Sequence, residues 1–343
     1  MSEMLFLYVK IGVISFLITL ILTPIVRLLA IRGGVMDQPS AIKVHLKPIP
    51  RLGGVAIFFG FLISLLFTES LSIKQEGVIV GASLALIIGI LDDTRSVPAL
   101  VKLIALFLIT WFLSQRGVIL KLTPFYLVNF LLTLFWIVGV TSAFNAMDNM
   151  DGVAAGLTFF SSAAYAYVAI QNFQWGWGAL AIALMGSSLG FLIFNFPPAS
   201  IFMGDSGSFF LGYCLAIMSV MGEWSKNPFK SIAVPVFILG LPIFDLIYVV
   251  LKRHRMRVTR SLKQIVTFSA KDHFTHRLQK LGMTNRQVTV FTYAIALALS
   301  IGAVTMRYVL KLEAVLLCAQ YVLLVILVTI LMELHDKKPG KSQ

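Results

Sequence analysis

The acids of this chain are few, and several stand at spacings that could do chemistry. Asp92 and Asp93 are adjacent in GILDDTRSVPALVKL, with Lys102 following ten and nine residues later. Asn145, Asp148 and Asp151 recur every third residue in FNAMDNMDGVAAG. Asp205 stands among Gly204, Ser206, Gly207 and Ser208 in IFMGDSGS. Adjacent carboxylates repel unless a cation or a proton is near, and at a helix C-terminus the macrodipole adds to the cost. A metal, Lys102 or a proton shared with substrate must offset the Asp92–Asp93 pair. If residues 145–151 are helical, their polar side chains lie about one turn apart along one side, and Gly152 ends or bends the segment. An oxygen-only donor set suits Mg2+, with Mn2+ substituting, and not zinc, which takes His or Cys. The plainer alternatives are a capping acid pair and a polar loop.

Cations accompany these acids. The stretch GGVMDQPSAIKVHLKPIPRLGG, residues 33–54, carries Asp37, Lys43, His45, Lys47 and Arg51 between paired glycines that suggest close backbone packing. It reads as an irregular but restricted phosphate clamp, or as a solvated positive loop. Residues 252–283 hold nine Lys and Arg with His254, His273 and His276. The end of that stretch, DHFTHRLQKLG, reads as a short amphipathic helix with Arg277 beside His276. Without a nearby Cys, the arginine argues for anion binding over zinc, because its fork matches phosphate oxygens. Anchoring to lipid headgroups is the alternative. Phe202 offers a ring three residues before Asp205, although lipid contact is the default for a lone Phe. Asp245 lies inside an apolar run, as a functional acid or as a helix-to-helix hydrogen bond.

The elements that must position these groups are apolar. The 343 residues are 58% hydrophobic and 13% charged, about half the charge of a soluble domain. Eleven uncharged runs approach the ~20 residues of a membrane-crossing helix: 8–30, 53–68, 78–91, 99–114, 125–144, 153–171, 178–194, 206–222, 231–251, 288–306 and 312–333. Only helices or closed barrels satisfy the backbone in lipid, and the alternating pattern of a barrel is missing. The expected fold is all-α: one polytopic membrane domain over 1–343, with a short polar tail at 335–343. The first run reads as a retained helix. Cys214 and Cys318 read as small apolar residues.

Numbering the loops alternately puts 20 of the 28 Lys and Arg in one set. Positive charge is retained in the cytoplasm, so the N-terminus is expected outside and the C-terminus inside. All nine Asp fall on or near that cytoplasmic side, and five of the six Glu on the other. A bilayer gives little reason to set acids against an anionic leaflet; a site does. Acids for Mg2+, cations for phosphates and an aromatic for a base make a site for a nucleotide diphosphate at the inner face. Eleven spans imply that the second substrate is a lipid. Walker, GxSxG and dinucleotide patterns are missing. A secondary transporter for an anionic metabolite is the rival from another class, but its polar site would lie at the midplane between repeats.

The motifs MDQPSAIKVHLKPIPRLGG, GILDDTRSVPALVKL, NAMDNMDG, FNFPPASIFMGDSGS and DHFTHRLQKLG occur in one order across residues 36–282. In this the chain resembles the polyprenyl-phosphate N-acetylhexosamine-1-phosphate transferases, and their WecA/TagO branch more than MraY. That branch usually reads His-x-His-His-Arg in the last motif; here Thr275 replaces the middle histidine. The runner-up, a phospho-MurNAc-pentapeptide transferase, would show three consecutive histidines. The resemblance implies attack of undecaprenyl (polyprenyl) phosphate on a UDP-N-acetylhexosamine, most simply UDP-GlcNAc. The products are the lipid-diphosphate sugar and UMP, the first membrane step of a cell-envelope polysaccharide or teichoic acid. It implies Mg2+ on Asn145 and Asp205 and Lys102 on the pyrophosphate. Asp148, Asp151, Asn195 and Phe202 fall to the nucleotide, and His273, His276 and Arg277 to the sugar and its phosphate. Asp92 and Asp93 are implied as catalytic, with Asp37, Lys43, His45 and Arg51 in support. Expected partners are these substrates and membrane lipids, with a homodimer compatible and nucleic acid not expected. The expected location is the bacterial cytoplasmic membrane.

Overall fold

The computed structural model describes residues 2–39, 47–68, 71–256 and 272–336. Lys43 and His45 lie outside the described residues, as does most of the polar tail. Thirteen helices are described: α1 Ser2–Arg32, α2 Gly53–Leu65, α3 Ile73–Arg95, α4 Ala99–Ser114, α5 Tyr126–Met147, α6 Val153–Gln171, α7 Trp175–Asn195, α8 Gly204–Met221, α9 Pro228–Ile238, α10 Gly240–Arg255, α11 Phe274–Lys280, α12 Asn285–Met306 and α13 Lys311–Asp336. A two-residue antiparallel pair, β1 Met36–Asp37 with β2 Ile49–Pro50, closes the first loop.

Every apolar run falls on a helix, so the chain is an all-α polytopic membrane protein. Among the described residues, eight helices are long and apolar enough to cross a bilayer, nine if one bent pair is a single span. The run at 231–251, expected as one helix, is that bent pair: α9 and α10 meet at 76°. Pro235 within α9 removes a backbone donor, and Gly240 and Pro242 open α10, so a continuous helix is disfavoured there. The runs on α2 and α4 give helices of 13 and 16 residues, short of the ~20 that a straight crossing takes.

Helix α8 is the hub, buried from Ser206 to Ser219. Glycines let neighbours reach it. A Cβ on Gly81 of α3 would sit 2.0 Å from the Tyr213 hydroxyl, and one on Gly89 would sit 2.4 Å from the Asp205 carbonyl and the Ser206 Cα. One on Gly54 of α2 would sit 2.1 Å from the Gly207 nitrogen. Small residues are what permit such approach in lipid, where packing rather than the hydrophobic effect joins helices. Helix α5 runs antiparallel to α8: Trp136 donates to Ser219 at 2.5 Å, while Thr141 and Phe144 face Gly212. The C-terminus of α5 therefore lies beside the N-terminus of α8.

Candidate active site

The ends of α3, α5 and α7 and the starts of α2, α4 and α8 gather at one face. Asp93, at the end of α3, accepts from the Asp205 amide at 2.9 Å and the Ser206 amide at 3.0 Å. A carboxylate at a helix N-terminus satisfies free amides and complements the dipole. Gly204 makes this fit possible. Its φ is +73°, and a Cβ there would meet the Asp93 carboxylate at 2.4 Å. The Asp93 side chain has no exposed surface, and Arg51 lies 4.0 Å from it while also pairing with Asp37.

Asp92 points elsewhere. It accepts the Val97 amide at 2.6 Å and pairs with Lys102, which reaches on to Asp205 at 3.1 Å. The repulsion that the sequence presents is therefore resolved twice, by Lys102 for Asp92 and by backbone amides for Asp93. Asp205 keeps 31% of its side chain exposed, against 9% for Asp92 and none for Asp93. Of the three, it is the one most open to a ligand.

The second acidic motif is not one helix. α5 ends at Met147; Asp148 caps it with ψ 39°, and Asp151 lies in the following turn. Gly152, with φ +75°, then opens α6. Of the two expectations for Gly152, ending or bending the segment, the chain shows a bend: its left-handed backbone turns the chain into the next helix. Burial raises the Asp148 carboxyl well above the ordinary range, and the charges of Asp205 and Asp93 push it further.

The loop from Phe196 to Met203 closes the acidic half. Its backbone pairs with the first loop: the Phe202 amide donates to the Pro50 carbonyl at 2.8 Å, and the Gly53 and Gly54 amides donate back to Phe202 and Met203 at 3.0 and 2.9 Å. Asp151 accepts the Ala199 amide at 2.9 Å. Asn195, buried, accepts the Gly152 amide at 3.0 Å and donates to the Ile201 carbonyl at 2.9 Å. Asp151 and Asn195 are thus engaged in shaping the loop that carries Phe202, whose side chain stays half-buried. Arg27 and Arg286, which the sequence does not mark, brace the same loop at Ser200 and Pro197.

The basic half rests on α10. Asp245, buried, accepts the Phe274 amide at 2.7 Å and lies 2.7 Å from His273 Nδ1. Of the two expectations for Asp245, the helix-to-helix hydrogen bond is the one observed. Arg253 grips Asp272 with two bonds of 2.7 Å. Burial alone would raise the Asp272 carboxyl, but those bonds and the Arg253 charge outweigh it and leave it below the ordinary range. Arg277 donates to the Asp272 carbonyl at 2.8 Å and stacks over the Tyr248 ring at 4.9 Å. His276 Nδ1 is 3.2 Å from Gln279, and the Thr275 hydroxyl donates to Asn149 at 2.6 Å. Arg253 and Asn149 are the supports that sequence reasoning missed. Asp245 is the support that the sequence does mark, through its isolation in an apolar run.

Among the described residues, no three His, Cys, Asp or Glu come together as a metal-holding group. Mg2+ needs fewer protein ligands, because one or two carboxylates with substrate phosphates and water complete its octahedron. The accessible Asp205 carboxylate and the partly exposed Asn145 amide, at the adjoining ends of α8 and α5, fit that requirement.

Comparison with known proteins places the chain among named relatives. A family model described as Glycosyl transferase family 4 matches residues 76–223, the stretch from Asp92 through Asp205. The chain is 37% identical over 317 residues to a probable undecaprenyl-phosphate N-acetylglucosaminyl 1-phosphate transferase of Bacillus subtilis, covering 86% of this chain and 84% of that one. It is 29% identical over 325 residues to a decaprenyl-phosphate N-acetylglucosaminephosphotransferase of Mycobacterium tuberculosis, covering 82% and 78%. An undecaprenyl-phosphate alpha-N-acetylglucosaminyl 1-phosphate transferase of Thermotoga maritima is 26% identical over 307 residues, covering 88% and 92%.

Proposed function

The chain belongs to glycosyl transferase family 4, and from that premise we propose that it transfers GlcNAc-1-phosphate from UDP-GlcNAc to a polyprenyl phosphate. The observation that carries this reading is the convergence of Asp92, Lys102, Asp148 and Asp205 with the Phe202 loop at one face of the helices. A phosphate oxygen of the lipid bonds to the β-phosphorus of the nucleotide sugar. The bond from that phosphorus to the bridging oxygen breaks, and UMP leaves with the electron pair.

Each residue then has a task. Asp205 and Asn145 would hold Mg2+, with Mn2+ as a substitute; when bound, the ion would supply charge neutralisation for the diphosphate. Lys102, already between two carboxylates, moves its charge onto the diphosphate. Asp92, released from Lys102, orients the lipid phosphate or takes its remaining proton. The second pKa of a phosphate monoester is near ~6, so the acceptor is largely dianionic and needs no strong base. Asp93 holds the N-terminus of α8, and catalysis does not fall to it. Phe202 stacks on uracil, with Asp148 and Asp151 at the nucleotide. His276 and Arg277 meet the sugar and its phosphate. Positioning and charge neutralisation carry most of the rate. This multi-pass bacterial membrane protein has its N-terminus outside, so the site faces the cytoplasmic UDP-sugar; a C-terminal reporter active in the cytoplasm checks that orientation.

The test is UMP release by the purified protein given polyprenyl phosphate and a panel of UDP-sugars. UDP-GlcNAc should release UMP only when lipid and Mg2+ are both present. Turnover with UDP-MurNAc-pentapeptide alone would install the runner-up enzyme. Binding without turnover of any UDP-sugar would sink the enzyme reading.

A further inference from the structure

The α5–α6 turn and α11 belong to distant parts of the chain and meet through side chains. The Thr275 hydroxyl donates to Asn149 Oδ1 at 2.6 Å across 126 residues of sequence. Both partners are committed. Asn149 Nδ2 donates to the Ala146 carbonyl at 2.7 Å, which fixes the amide's orientation on the last turn of α5. Thr275 is fully buried, so water does not compete for its hydroxyl. The neighbours of Asn149 in sequence are Asp148 and, two residues on, Asp151. Those of Thr275 are His276 and Arg277. Asp245 ties the start of α11 to α10, and the Thr275 bond ties its first turn to the opposite half of the site.

We propose that Asn149 and Thr275 are a positioning pair, which sets the register of the basic helix against the nucleotide-binding turn. The inference rests on the nucleotide-sugar reading above, in which the turn meets the nucleoside and α11 meets the sugar and its phosphate. A ligand spanning both halves depends on that register. A ligand that touches the turn alone does not. A threonine suits this role, because a short hydroxyl bonds the amide without adding a titrating ring at a fully buried position.

The experiment measures dissociation constants of UMP and UDP-GlcNAc for the purified full chain. Thr275→Val keeps the shape and removes the hydroxyl. It should weaken UDP-GlcNAc about tenfold, the scale of one buried hydrogen bond, and leave UMP within about twofold. Thr275→Ser should bind both ligands as the native chain does. Asn149→Ala should reproduce the split, and the double variant should be no worse than either single one, the mark of a coupled pair. A merely structural role would lower Tm and leave both constants in place. The proposal is overturned if the folded Thr275→Val protein holds both ligands normally, if it loses both equally, or if the two substitutions add. Should Thr275→Val fail to fold, the Asn149→Ala split and the Thr275→Ser rescue decide alone. Failure of the native chain to bind UDP-GlcNAc would be a failure of the reading beneath, seen before any variant is made.

Discussion

Asp93 and Asp245 do the same thing in two places: each carboxylate takes up donors at the start of a helix. Asp93 accepts the Asp205 and Ser206 amides; Asp245 accepts the Phe274 amide and faces His273. Their surroundings differ. The helix that Asp93 holds has 18 residues, is buried among α2, α3 and α5, and is approached through Gly54, Gly89 and Gly81. The helix that Asp245 holds has seven residues and is tethered by side-chain pairs, Arg253 with Asp272 and Thr275 with Asn149. The acidic half of the site is thus placed by backbone packing and the basic half by individual side chains. Damage to the first should be all-or-none, and damage to the second graded.

The largest effect separates chemistry from scaffold within the acidic half. Asp205→Ala removes the most accessible carboxylate but keeps the amide that Asp93 binds. Turnover should fall by about a thousandfold or more, the upper range for loss of one preorganised electrostatic group, with Tm nearly unchanged. Asp93→Ala should also lose turnover, but through the fold, because two buried amides are left without an acceptor at about 1–3 kcal/mol each. Tm of the two purified variants checks this. A normal Tm for Asp93→Ala would mean that its cap is dispensable.

Asp92→Asn comes next. It keeps the volume and the Val97 contact but removes the charge that holds Lys102. We expect kcat to drop about a hundredfold, as for loss of a group acting on a proton in the transition state, and KM for the UDP-sugar to stay within about twofold. Single-turnover kinetics sharpen the point. A burst of UMP without lipid, abolished in Asp92→Asn, would replace direct attack with a covalent aspartyl route.

The acidic half was the more legible in sequence, for the same reason that it is rigid. Its residues sit at the ends of long apolar runs, where composition fixes the helix and leaves the acid at a boundary. The paired glycines at 53–54 announced the close approach to α8, although not its partner Gly207. Periodicity failed where backbone geometry decides. Spacing of three would set Asn145, Asp148 and Asp151 along one side if the stretch were helical, yet the chain leaves helical geometry at Asp148 and turns at Gly152. It failed again at 231–251, where hydropathy reads through the break between α9 and α10. In the basic half Asp245 stood out in its apolar run, but the pairings were invisible because they are distant in sequence, and a single sequence carries no signal that Asp245 should meet Phe274 or Asn149 meet Thr275.

The smallest expected effect tests whether the basic half is held by charge. Arg253 donates twice to Asp272, and the Asp272 carboxyl lies below the ordinary range despite burial. A carboxyl whose folded pKa is depressed adds stability above its unfolded value, and that stability is lost as pH falls through the folded one. Asp272→Asn keeps the shape and one acceptor but no charge. At neutral pH it should lower Tm by on the order of 2 °C, the scale of an ion pair worth about 1 kcal/mol. As pH falls below the unfolded carboxyl value of about 3.9, native Asp272 takes up a proton and the gap between the two proteins should close. Thermal unfolding of both across that range is the measurement. A gap that persists in acid would assign the tether to packing of Arg277 over the Tyr248 ring, and the graded behaviour of this half would then have to come from shape and not from charge.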